Sequence, residues 1–169
     1  ESGGVEAGTS ATAPDPIVDL GLPAAIPDDL VPHMPTRMSM YQRMAKARTI
    51  EEVNDLPREF QDRFGHQLPD ELHNLVYGVR VRVLARRARV ESVVRRRDRI
   101  TIKLIDQVGG ARVPLEGALG HGTDVGNQQV HMPASGGEVA WGQALLEVLE
   151  RIESFQGRIV EMEAAASAG

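Results

Sequence analysis

The sequence of 169 residues contains no cysteine. Disulfides and thiolate metal sites are therefore excluded, as fits a reducing compartment. Aromatic residues are scarce, at 4%, so any core must be filled by Val, Leu, Ile, Met and Ala. No run approaches the roughly 18 apolar residues that a membrane helix needs, and no membrane contact is expected. The first residues lack the basic-then-apolar order of a secretory signal. Residue 1 is Glu rather than Met, so the chain is expected to be a fragment of something longer.

Catalytic signatures are also missing. No GxxxxGK[ST] loop is present to cradle a nucleotide phosphate. The glycine-dense stretch from Gly117 to Gly122 reads as a flexible loop. The five histidines, His33, His66, His73, His121 and His131, show no HExxH or other metal spacing. His121 and His131 could meet across a turn, but no third ligand accompanies them. Ser39, Ser92, Ser135 and Ser154 lack the GxSxG setting of an activated nucleophile. No enzyme activity and no cofactor or metal are expected of this chain, so its function must be read as contact with partners.

What is present suits a soluble globular domain: 41% hydrophobic and 25% charged residues. The net charge of −5 conceals segregation. Between residues 50 and 62, Glu51, Glu52, Asp55, Glu59 and Asp62 stand against Arg58 alone. Between 80 and 99, nine arginines stand against Glu91 and Asp98, a local charge of +7. Separated patches can face different partners, or can simply be solvated helix faces.

Residues 1–13 have too few apolar groups to offset ordering entropy and read as a flexible lead-in. The domain proper is placed at 14–160 and a flexible tail at 161–169, Ala-rich from 164 onward. Ile17, Val18 and Leu20 suit a short strand. Pro23, Pro27, Pro32 and Pro35 keep the next segment extended. A helix is expected from Thr36 to Ala47, with Met38, Tyr41 and Ala45 along one face. Thr49 and Glu52 form a capping-box pattern that starts a second helix. Pro57 should either kink it at Leu56 or restart it, with the end at Phe64 and Gly65 in the left-handed position beyond.

Pro69, Asp70 and Glu71 open a third helix. It carries two apolar faces, Leu72, Leu75, Val76, Val79 and Val83 on one side and Tyr77, Val81, Leu84 and Ala88 on the other, so it should be central. Val90 to Val94 and Ile100 to Ile105 predict a β-hairpin whose exposed loop is Arg95 to Arg99, closed off by Gly109-Gly110. Gln128 to Met132 suits a further strand. Trp141, Leu145, Val148, Leu149, Ile152 and Phe155 recur at helical spacing over 138 to 156. The fold class is α+β, helices packed on one face of a small, mainly antiparallel sheet.

One set of residues is more specific. Glu59, Asp62-Arg63-Phe64-Gly65 and Leu68-Pro69, preceded by Ile26-Pro27-Asp28-Asp29, Arg37 and Tyr41-Gln42-Arg43, resembles the C-terminal domain of the bacterial transcription-repair coupling factor family (Mfd). The likeness covers roughly residues 16 to 105 and fades after 106. Pro57, the His66-Gln67 link and the glycine-rich stretch depart from the family pattern. In that family the domain is cytoplasmic and non-catalytic. It follows an ATP-driven double-stranded DNA translocase that pushes on stalled RNA polymerase. It packs on a UvrB-like N-terminal module of the same protein and hides the surface that recruits the UvrA repair subunit, until engagement with polymerase and DNA releases it.

The resemblance implies that Glu59 and Asp62, three residues apart on one helix, face basic side chains of that module, with Arg63 beside them. Equally, Asp62 could pair locally with Arg58 or Arg63 while Glu59 is merely solvated. An exposed pair is worth only about 0.2 to 1 kcal/mol, a desolvated interface pair about 2 to 5 kcal/mol. Phe64 reads as core. Arg37 and Tyr41 are expected to hold the extended Ile26-Pro27-Asp28 segment against the first helix. Arg95, Arg96 and Arg97 are a possible secondary contact. The alternative function is an Arg-rich nucleic-acid-binding module, opposed by the acidic total and the lack of interleaved aromatics. A free-standing assembly protein, with acidic and basic patches paired between copies, is the other class.

Overall fold

A computed structural model describes residues 14–65 and 67–169. The lead-in at 1–13 and His66 lie outside them. The described residues form α1 (Met34–Lys46), α2 (Ile50–Phe64), α3 (Asp70–Arg87), α4 (Arg112–Leu119) and α5 (Glu138–Ser167), with strands β1 (Ile17–Asp19), β2 (Val90–Arg96), β3 (Arg99–Leu104), β4 (Asp124–Val125) and β5 (Gln129–Pro133). The strands form one sheet in the order β1-β2-β3-β5-β4. Only β1 is parallel to its neighbour; the other three pairings are antiparallel.

Helix α3 divides the interior, as its two apolar faces imply. Leu72, Val76, Val79 and Val83 pack with Ile26, Val31, Met40, Met44, Val53, Leu56 and Phe60. Val81, Leu84, Ala85 and Ala88 pack on the other side with Val93, Ile100, Ile102, Val130, Leu145 and Leu149. The first core joins α1 and α2 to α3, and the second joins the sheet and α5 to it. Each fully buried Val, Leu or Ile contributes about 1.5–3 kcal/mol, so α3 is held from both sides.

Helix α1 begins at Met34 rather than at Thr36, because Pro35 is accommodated in the first turn and His33 caps it, its Nδ1 2.8 Å from the Thr36 hydroxyl. Its buried side is Met40 and Met44. The expected face fails: Met38 is 48% exposed and Ala45 is exposed, with only Tyr41 half-buried. The Met-rich segment carries two overlapping apolar stripes, and packing against α3 selects one.

The capping box of α2 forms as predicted. Thr49 Oγ1 accepts from the Glu52 amide at 3.2 Å, and Glu52 Oε2 accepts from the Thr49 amide at 3.4 Å. Pro57 does not restart the helix, which runs unbroken from Ile50 to Phe64. The Val53 carbonyl loses its donor four residues on, but Val53, Leu56 and Phe60 are all buried and hold both halves to α3. Gly65 ends the helix at φ 121 and ψ 167, a glycine conformation, though not the left-handed helical one expected.

The hairpin is tighter than predicted. Strand pairing continues to Arg96 opposite Arg99, leaving Arg97 and Asp98 as a two-residue turn with Arg97 at φ 54. Arg95, Arg96 and Arg99 therefore belong to strands, not to a loop. Arginine tolerates an exposed strand position, so charge alone misplaced the strand ends. Within the glycine-rich region, α4 forms because Leu115 and Leu119 find the core. Helix α5 extends past the predicted 156 to Ser167, so the Ala-rich stretch from 164 is helical. Among the described residues, no helix is long and apolar enough to cross a membrane.

Candidate partner-binding face

Burying Val53, Leu56 and Phe60 leaves the opposite side of α2 to solvent. Glu51, Asp55, Arg58 and Asp62 recur there at spacings of four, three and four, and all are exposed. Because the helix is continuous through Pro57, Glu59 and Asp62 share one rigid element. The two acids nevertheless differ. Glu59 is 25% exposed and ion-paired with Arg43 of α1 and, at 3.6 Å, with Arg63 one turn on. Asp62 is exposed and has no ion-pair partner among the described residues. Local pairing of Asp62 with Arg58 or Arg63 does not occur; Glu59 is the paired acid.

Arg63 also lies over the Phe64 ring, 5.4 Å from its centroid, and Phe64 packs at the edge of the α1–α2–α3 core. Glu52 is committed to its cap: hydrogen bonds from the Arg48 and Thr49 amides hold its carboxyl below the usual range. On α2, the acids without local partners among the described residues are thus Glu51, Asp55 and Asp62. Arg43 belongs to the Tyr41-Gln42-Arg43 set, but its partnership with Glu59 depends on how α1 and α2 pack in one core with α3 and leaves no mark in either helix alone.

The extended segment is held as expected. Tyr41 Oη accepts from the Ile26 amide at 2.7 Å, Arg37 donates to the Val31 carbonyl at 2.9 Å, and Arg37 lies 3.6 Å from the Asp28 carboxylate.

The basic run from 80 to 99 is largely occupied within the domain. Arg82 and Arg86 meet Asp15, Arg87 meets Glu153, and Arg89 meets Asp106. Arg95 donates to the Leu20 carbonyl at 2.7 Å and lies 5.0 Å above the Trp141 ring. Arg96 pairs with Asp19 at 2.9 Å and holds its carboxyl below the usual range. Of the trio Arg95, Arg96 and Arg97, only Arg97 sits at the turn. His121 is 2.7 Å from Glu147 and His131 is 3.0 Å from Thr101, so the two do not meet. Among the described residues no group of His, Asp and Glu could hold a metal ion. A mainly apolar cavity of about 310 Å³ lies between Val108, Leu115, Ile152 and Phe155, away from α2.

The fold and this face define a small α+β domain whose distinctive surface is a charged helix rather than a pocket with convergent reactive groups. The TRCF domain family model matches residues 20–110, more than half of the chain, and the chain belongs to that family. It is 37% identical over 76 residues to the transcription-repair-coupling factor of Escherichia coli (strain K12), covering 45% of this chain and 6% of that protein. It is 32% identical over 90 residues to that of Bacillus subtilis (strain 168), covering 53% and 8%. The chain therefore spans under a tenth of these relatives. The crystal structure of the C-terminal domain of transcription-repair coupling factor superposes with a TM-score of 0.71 at 18% identity, covering 83% of this chain and 93% of that one. The shared fold thus reaches beyond residues 20–110, although the sequence likeness noted above fades.

Proposed function

We propose that residues 14–160 are a non-catalytic regulatory domain of a transcription-repair coupling factor, acting in the bacterial cytoplasm. The acidic face of α2 docks on a basic surface of the UvrB-like N-terminal module of the same polypeptide and masks its UvrA-binding surface. RNA polymerase, DNA and UvrA are met through the parent protein, whose translocase supplies the ATP-driven work and whose product is recruitment of nucleotide excision repair. The observation that carries this reading is Asp62: an exposed carboxylate without a local partner, on a continuous helix, one turn from a Glu59 already oriented by Arg43 and Arg63. An unneutralised carboxylate beside an oriented one suits a basic partner.

Family membership and the shared fold support this assignment. Arg87, Arg89, Arg95 and Arg96, each occupied within the domain, weigh against the nucleic-acid alternative. The test is calorimetric titration of the chain into the UvrB-like module of its parent protein, repeated with Glu59→Ala plus Asp62→Ala. Binding that this double substitution weakens, in a chain still folded by circular dichroism, supports the lock. Absence of binding at high concentration and low salt removes it.

A further inference from the structure

Three arginines converge on one carboxylate where the described chain begins. Asp15 lies 2.7 Å from Arg86, 3.5 Å from Arg48 and 3.9 Å from Arg82. Arg82 and Arg86 stand one turn apart on α3, and Arg48 lies in the link between α1 and α2. Among the described residues, all three arginines are ion-paired with this one carboxylate. This cluster is separate from Asp62, which lies twelve residues along α2 from its start at Ile50, roughly 18 Å.

Arg82 and Arg48 are held independently of Asp15, whereas Arg86 meets Asp15 alone among the described residues. Arg82 donates to the carbonyls of Met44, Ala45 and Ala47 at 2.6, 2.8 and 3.2 Å, and Arg48 to those of Ala45 and Ala47 at 3.3 Å. They cap the negative end of α1. Burial lowers the Arg82 pKa, with repulsion from Arg48 and Arg86 adding to this and Asp15 opposing it. Glu52, in the first turn of α2, accepts from the Arg48 and Thr49 backbone amides, and its charge also acts on Arg48. Two preorganised guanidinium groups with a third beside them are the chemistry that recognises a phosphate.

The occupant sits at the edge of the fold. Asp15 is 42% exposed and leads into β1, a three-residue edge strand whose Ile17 is 66% exposed. Besides the ladder to β2, Pro16 and Leu20 are buried and Asp19 pairs with Arg96.

We propose that Arg48, Arg82 and Arg86 form a phosphate-type anion site whose resident ligand is the carboxylate of Asp15, and that a competing phosphate loosens the strap of residues 14–19. The inference is independent of the proposed docking of α2. Titrating the whole chain with pyrophosphate at constant ionic strength tests it, with calorimetry and amide hydrogen exchange at Val18, Asp19 and Leu20 as readouts. Asp15→Asn empties the site of its charge and should bind pyrophosphate about tenfold tighter, with faster exchange in the strap even before ligand is added. Adding Arg86→Gln, or Arg48→Gln as a second route, to that variant should abolish the gain while circular dichroism is unchanged. Pyrophosphate should also speed strap exchange in the unsubstituted chain. Equal affinity of Asp15→Asn and the unsubstituted chain, a gain that survives both glutamine substitutions, or a strap indifferent to Asp15 and to pyrophosphate would each overturn the proposal. A short DNA duplex distinguishes the source: competition with pyrophosphate assigns a nucleic-acid backbone, and its absence assigns a free phosphate group.

Discussion

Glu59 of α2 is ion-paired with Arg43 of α1, so one of the two acids assigned to partner docking also ties two helices of its own domain together. Asp62, one turn on, has no such duty among the described residues. The double substitution therefore tests the lock as a whole, and the single substitutions separate stability from surface. Glu59→Gln should lower stability by about 0.2–1 kcal/mol, because the pair is partly exposed and screened, visible as a small fall in the thermal midpoint. Asp62→Asn should leave the midpoint unchanged and weaken binding to the UvrB-like module. A shift in the midpoint with Asp62→Asn and no effect on binding would reverse these roles.

The same logic separates the arginines of the hairpin. Arg95 holds the Leu20 carbonyl and lies over Trp141, so Arg95→Ser should cost about 1–2 kcal/mol from a lost hydrogen bond and cation–π contact. Arg97→Ser should cost nothing measurable by urea unfolding. Any loss of partner binding with Arg97→Ser alone would then report a surface contact, which a triple substitution could not.

The capping box of α2 offers a local test. Thr49→Ala removes the acceptor for the Glu52 amide and should destabilise the domain by about 1 kcal/mol, read by chemical denaturation. Glu52→Gln should flatten the acid limb of stability. The sign follows from the depressed carboxyl pKa: the contribution is present above the unfolded-state value, about 4.3, and is lost as pH falls through the lower folded value.

Alkaline stability should depend on Tyr77. Its hydroxyl donates to the Gly142 carbonyl at 2.8 Å, its ring meets Trp141 edge-on at 6.4 Å, and burial pushes the phenol pKa well above the ordinary range. A raised pKa means that stability is full below the unfolded value, about 10, and falls as pH rises above it. Tyr77→Phe should cost about 0.5–1.5 kcal/mol at neutral pH and show a shallower decline above pH about 10. Denaturation midpoints measured from neutral to alkaline pH check both parts.

Much of the fold was legible because its signals are local. Thr49 and Glu52 announce a helix start by their spacing alone, and the two apolar faces of α3 announce a helix packed on both sides. The face of α1 was not legible, because Met38 and Met40 offer competing stripes and only α3 chooses between them. The ends of β2 and β3 were hidden because arginine at an exposed strand position looks like a loop. Helix α4 was hidden among glycines, its formation depending on Leu115 and Leu119 reaching a core assembled from distant segments.

The sequence by itself determined the family, the α+β class, the capped start of α2 and the candidate pair Glu59 and Asp62, since each rests on residue identity and short spacing. Only the tertiary structure decided which acid is free. Ion pairing depends on the few ångströms between side chains of different elements, and the packing of α1 and α2 in one core with α3 brings Arg43 to Glu59 while leaving Asp62 in solvent. The same reason placed Asp15 among three arginines, a meeting of residues too far apart in the chain for any local pattern to predict.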